Sequence, residues 1–216
     1  MNVEAACTRM LGQQLRAWNV LDQRVLDVVR TVGRERFVPE AYRELAFADT
    51  EIPLAHGQRM MTPSVEGRLL QALDLDPADT VLEVGTGSGF LTACLAALAG
   101  HVVSVDIFPE FTADAAGKLR RDGVQNVELR TADALALDRD ERFDAIAVTG
   151  SVPELDDTFV RLLRPGGRLF VVVGRPPVMD ALLIRTDLHG NRAQDTRFET
   201  VVTPLVNAER PEPFVL

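Results

Sequence analysis

VLEVGTGSGF, residues 81–90, is the stretch whose reading decides the fold. A hydrophobic run carries Glu83 near its end. Gly85, Thr86, Gly87, Ser88 and Gly89 then lead into an apolar, helix-forming segment. Such a loop needs glycine because the turn visits conformations closed to other residues and a ligand must approach the backbone closely. Outward from it, short β-branched runs alternate with helical stretches. The runs are TVLEVG (80–85), HVVSVD (101–106), VELR (127–130), FDAIAVTG (143–150) and GRLFVVVG (167–174), with helices expected at about 89–99, 110–122 and 154–163. Alternation with near-continuous apolar strands argues for a parallel sheet covered on both faces. In the tail, two further strands flank the turn signal His189-Gly190-Asn191, an antiparallel hairpin on the sheet edge. The expectation is an α/β chain with a doubly wound, mostly parallel seven-stranded sheet.

Residues 3–32 read as two helices, with Asn19 and Asp22 available as caps. RERFVPEAYRELAFADTEIPLAHGQRMMTP, rich in Pro, Gly and aromatics, reads as a short helix plus ordered loops. A helix over 64–74 follows, with Val65, Leu69, Leu70 and Leu73 on one face. The expected organisation is a single domain: a helical cap with a loop over 1–76, a ligand-binding core over 77–175 and a hairpin over 176–216.

The 216 residues are 46% hydrophobic, ample for a core and too apolar for a disordered chain. No apolar run reaches the ~20 residues of a membrane span, and the N-terminus carries no signal pattern. Cys7 and Cys94 read as reduced, buried groups of a cytoplasmic protein, and with three scattered histidines they suggest no metal site. The net charge of −9 lies in residues 61–216, with 15 bases and 24 acids; residues 1–60 balance. That disfavours nucleic acid and anionic membrane as partners.

The glycine spacing is G-x-G-x-G, not the dinucleotide G-x-G-x-x-G. A pyrophosphate favours a helix N-terminus free of negative charge. An acid at Glu83 suits S-adenosylmethionine (SAM), which has no phosphate and carries a sulfonium and an ammonium. Asp106, at the tip of the second strand, is placed to accept from ribose hydroxyls, as it would be for NAD. Asp133, after the third strand, is placed for an adenine amino group. Three acids at three successive strand ends weigh more than the loop alone, although each has an ordinary strand-end or loop reading.

With these residues in view, the chain resembles the protein-L-isoaspartate (D-aspartate) O-methyltransferases over nearly its whole length. RERFVPEAYRELAFAD (34–49) is similar to the family's Arg-x-x-Phe-Val-Pro segment and the Ala-Tyr-x-Asp element after it, with Phe47 in place of the tyrosine. GQRMMTP (57–63) resembles the Gly-x-Thr-Ile-Ser-x-Pro active-site loop. RFDAIAVTGSVPELDDTFVRLLRPGGRLFVVVG (142–174) resembles the fourth strand, its Pro-containing loop and the Leu-x-Pro-Gly-Gly-Arg-Leu segment, and VVTPL (201–205) the closing Val-Pro-Leu strand. The resemblance implies a SAM-dependent methyltransferase acting on a protein or peptide carboxyl. It implies cofactor contacts at Glu83, Gly85, Thr86, Gly87, Ser88, Gly89, Asp106, Ile107, Asp133 and Ala134. The departures are Arg59 for the loop threonine, Met61 for the loop serine and Ala134 for a glycine. They leave open another acceptor on the same scaffold, or a SAM-binding module without catalysis.

A carboxylate acceptor is already ionised at pH 7 and needs orientation rather than a general base. Thr62 is the candidate catalytic residue, as a donor to the acceptor carboxylate; equally it can cap the helix after Pro63. His56 is the nearest candidate base and reads rather as a turn histidine. Met60 and Met61 read as core packing before pocket lining, Arg59 as a solvated charge before an anion partner, and Trp18 as an anchor for the first helices.

Overall fold

The computed structural model describes residues 2–138 and 140–208. Helix α1 (Val3–Arg9) runs into a π-helical segment over Met10–Leu15. Helix α2 (Gln23–Val32) starts at Asp22, whose carboxylate accepts from the Arg24 amide at 2.8 Å. Asn19 turns the chain between them with a left-handed φ of 63°. Two 3-10 turns, Arg34–Arg36 and Glu40–Leu45, follow. A two-residue antiparallel ladder then joins β1 (Ile52–Pro53) to β2 (Arg59–Met60). That ladder is too short to leave a period in the sequence. Helix α3 (Pro63–Leu73) buries Leu69, Leu70 and Leu73.

The main sheet holds β3 (Thr80–Val84), β4 (His101–Asp106), β5 (Val127–Thr131), β6 (Phe143–Val152), β7 (Leu163–Arg175), β8 (Val178–Thr186) and β9 (Arg192–Thr200), in the order β5-β4-β3-β6-β7-β8-β9. Pairing is parallel through β7, and β8 and β9 close the edge as an antiparallel meander. Helices α4 (Phe90–Leu98) and α5 (Pro109–Arg121) connect the first strands. Strand alternation sends Val81, Ala145 and Phe170 to one face, in a single core with α3, α4 and the N-terminal helices. Leu82, Ile146 and Leu169 face the other side.

On that second face the crossovers shrink to 3-10 turns, Ala134–Ala136 and Val160–Leu162. The helix expected over 154–163 is therefore absent. The Asp156 carboxylate takes both the amide and the hydroxyl of Thr158, each at 2.8 Å, a local turn that competes with helical bonding. Strand β7 begins directly after, at Leu163.

Three cations tie distant segments of the chain together. Arg168 pairs with Asp79 at 2.5 Å and donates to the Leu73 and Asp74 carbonyls, fixing the end of α3. Arg34, wholly buried, pairs with Glu66 at 2.9 Å and donates to the carbonyls of Ala46 and Met61. Lys118, the sole lysine, donates to the carbonyls of Phe37 in the cap and Ser88 in the glycine loop, and pairs with Asp114.

Candidate active site

Strand β3 lies between β4 and β6, so the crossovers leave it in opposite directions. In open α/β sheets ligands sit outside the carboxyl ends of the strands at such a switch point. A cleft of about 770 Å³, mouth included, opens there. Its floor is Val84, Gly85, Gly87, Asp106, Ile107 and Thr149, and one wall is Ala132, Asp133, Ala134 and Leu135. Leu54, Gln58, Arg59 and Met61 also line it, with Phe108, Phe111 and the C-terminal segment from Val202 to Val206.

The glycine loop is shaped by close approach. Gly85 has φ +98°, and a Cβ there would stand 2.2 Å from the Thr149 hydroxyl. That hydroxyl donates to the Val84 and Gly85 carbonyls. Asp106 accepts from the Gly87 amide at 2.9 Å and the Phe108 amide at 3.0 Å, which clamps the loop to the tip of β4. Burial pushes the Asp106 carboxyl up, against the pull of these amides. Asp133 accepts from the Leu135 amide and the Asn207 side chain, each at 2.9 Å.

Six of the ten anticipated cofactor contacts thus line one cleft: Gly85, Gly87, Asp106, Ile107, Asp133 and Ala134. Glu83 does not. It is fully buried beneath the loop, accepting 2.5 Å hydrogen bonds from the hydroxyls of Thr92 and Ser104. Ser104 in turn is hydrogen-bonded to Thr86 at 2.6 Å, so Thr86 too is held from below. Burial raises the Glu83 carboxyl to about 8, so the charge that favours a cationic ligand comes from Asp106, Asp133 and Glu51 rather than from Glu83. Ser88 caps α4 through the Phe90 amide, and Gly89 supplies its left-handed N-cap.

Thr62 lies outside this cleft. It is the N-cap of α3, accepting from the Val65 amide at 3.4 Å and bonded to the Ser64 hydroxyl. It lines a second depression together with Trp18, Asp49, Glu51, Met61 and Val201. Trp18 is 45% exposed, so it is no internal anchor. His56 takes a left-handed turn conformation and stacks on Phe108 at 4.2 Å. Arg59 does line the cleft; its charged neighbour is Glu51, at 3.6 Å. Sequence reading missed Thr149, Phe108 and Phe111. Their only signal is a Thr-Gly within the buried strand β6 and aromatics just past Asp106.

The family model for protein-L-isoaspartate(D-aspartate) O-methyltransferase matches residues 7–210. The chain belongs to that family. The Koribacter versatilis protein-L-isoaspartate O-methyltransferase is 35% identical over 198 residues, 90% of this chain and 89% of its own. The Anaeromyxobacter dehalogenans one is 42% identical over 169 residues, 77% and 81%. A Plasmodium falciparum structure assigned to the same enzyme class, in complex with S-adenosyl-L-homocysteine, superposes with a TM-score of 0.80 over 95% of this chain and 98% of its own, at 21% identity. That last likeness confirms the methyltransferase fold.

Proposed function

We propose that this isoaspartyl methyltransferase family member transfers the methyl of SAM to the free carboxyl of an isoaspartyl residue in a protein or peptide. The observation that carries the reading is the cleft at the switch point, with the glycine loop and Asp106 on one side and the Arg59–Met61 loop on the other. The residues present fit a nucleoside carrying positive charge. Gly85 leaves no room for a side chain, and Asp106 keeps acceptor capacity beside the two amides it holds.

SAM supplies a methyl group made electrophilic by its sulfonium. The chain's part is to hold the partners in line and to remove water from the acceptor. In this reading Asp106 binds the ribose hydroxyls, and Asp133 with Ala134 borders the adenine. Arg59 is the one cation among the described cleft-lining residues, so it is assigned the acceptor carboxylate, in the place where the family has threonine. Met61 contributes an apolar wall, and Thr62 shapes the loop as a cap. Residues 1–216 act as one catalytic unit, with the cap over 1–76 closing the cleft. The free, buried Cys7 and Cys94 fit a cytoplasmic site of action, and the acid excess argues against nucleic-acid partners.

Labelled methyl should pass from SAM to an isoaspartyl peptide and not to its aspartyl twin. Equal labelling of the two, or none, overturns the isoaspartyl acceptor. Arg59 and Met61 favour one second reading, another carboxylate acceptor on the same scaffold. In that case SAM binds and neither peptide is labelled.

A further inference from the structure

A second depression adjoins the cofactor cleft. Glu51, Met61 and Val202 line both. Beyond Met61 its apolar wall is Trp18, Val65, Phe198 and Val201. Trp18 and Val201 are 45% and 46% exposed, two open apolar side chains lining one groove. Among the described residues the Trp18 ring has no stacking partner, and its indole N–H has no acceptor. Asp49, Glu51 and Glu199 rim the groove, and no Arg or Lys lines it. Asp49 is itself held by the Ser64 hydroxyl at 2.7 Å, so the polar wall is fixed in place.

We propose that this groove is a subsite for a bulky apolar side chain flanking the methylated residue in the same polypeptide, with Trp18 as its wall. This rests on the isoaspartyl reading above. The continuity through Met61 commits the occupant. A chain whose acceptor carboxyl reaches Arg59 and the methyl site can leave along this apolar wall, which is continuous with the cleft through Glu51, Met61 and Val202. Successive residues of an extended peptide advance by about 3.3 Å and turn alternate side chains to one side, so a residue one or two positions from the acceptor enters the groove. The indole N–H is left free to meet a peptide carbonyl, the amphipathic use for which tryptophan is favoured at binding surfaces. The acidic rim and the lack of bases disfavour an acidic residue in the same place.

Trp18 is the single tryptophan, so its fluorescence reports on this groove alone. The full chain, saturated with S-adenosylhomocysteine, is titrated with tryptophan-free isoaspartyl peptides. These carry leucine, serine or glutamate at each of the two positions on either side of the acceptor. Acrylamide quenching is followed, and with SAM the kcat/KM for methyl transfer. The leucine peptide should shield Trp18 and exceed the serine peptide about tenfold in kcat/KM at one position, with glutamate lowest. Trp18→Ala should erase the leucine preference while SAM affinity stays unchanged, and Val201→Glu should do the same should the first variant fold poorly. Methylation indifferent to flanking residues, with Trp18 still open to quencher, overturns the subsite and leaves the isoaspartyl reading standing. Shielding without isoaspartyl methylation overturns that reading and keeps the subsite. Neither shielding nor methylation overturns both.

Discussion

Glu83→Gln isolates the energetic role of the acid beneath the glycine loop. The carboxyl is buried, its Oε2 takes the Thr92 and Ser104 hydroxyls, and its Oε1 has no partner. Burial raises it from 4.5 to about 8; the two hydroxyls oppose this, while Asp106 and Glu66 add to it. In the unfolded chain the same group is ionised throughout the range from pH 7 to 9. In the folded chain it passes from about nine-tenths protonated to about nine-tenths ionised. The folded state binds the extra proton, so stability falls as pH rises through this window, by about 1.4 kcal/mol from this group. Glutamine keeps the shape, lets its amide oxygen accept from both hydroxyls and does not titrate. Urea unfolding of both proteins at pH 7, 8 and 9 removes every shared titration from the difference. The wild type should lose about 1.4 kcal/mol relative to the variant across the series. Parallel profiles would refute the claim that burial keeps this acid protonated.

Asp106→Asn places an amide where one carboxylate oxygen accepts a backbone N–H, and should weaken SAM binding at least tenfold, or about 1.4 kcal/mol by calorimetric titration; unchanged affinity would remove Asp106 from the cofactor site. Glu66→Leu strands the Arg34 guanidinium in the core and should cost about 3–5 kcal/mol in urea unfolding, whereas Arg34→Met with Glu66→Leu should recover most of it. Equal losses for the single and double variants would show that the pair itself, not the unpaired charge, sets the cost. Arg59→Gln should raise KM for an isoaspartyl peptide and flatten its dependence on ionic strength, with SAM affinity unaltered; a KM that keeps its salt dependence denies Arg59 the acceptor carboxylate. Met61→Ser, which restores the family hydroxyl in the loop, should raise kcat/KM for that peptide, and a fall would show that this cleft is shaped for methionine.

The strand runs and the hairpin turn were legible because each announces itself within a few residues. β-branched runs ending in glycine or an acid gave β3, β4 and β6 to within two residues at either end. Depth was not legible. Glu83, Asp106 and Asp133 all stand at or beyond strand ends, but only packing sends Glu83 under the loop and the other two into the cleft. The pairing of Arg34 with Glu66 spans 32 residues and has no local trace. The segment from Val202 to Val206 reaches the cleft because it docks beside the end of β6. There Ser151 exchanges backbone hydrogen bonds with Thr203 and Leu205. The helix expected at 154–163 failed where Asp156 offered the backbone a nearer partner.

Lys118 bridges the Phe37 segment and the glycine loop, and its amine is largely covered while they are together. No second lysine shares its chemistry. An acylating reagent would therefore find this side chain mainly in those moments when Phe37 and Ser88 have let it go. The rate of acylation at one position becomes a clock for separation of the Phe37 segment from the glycine loop, and a saturating cofactor that holds the glycine loop still should slow it.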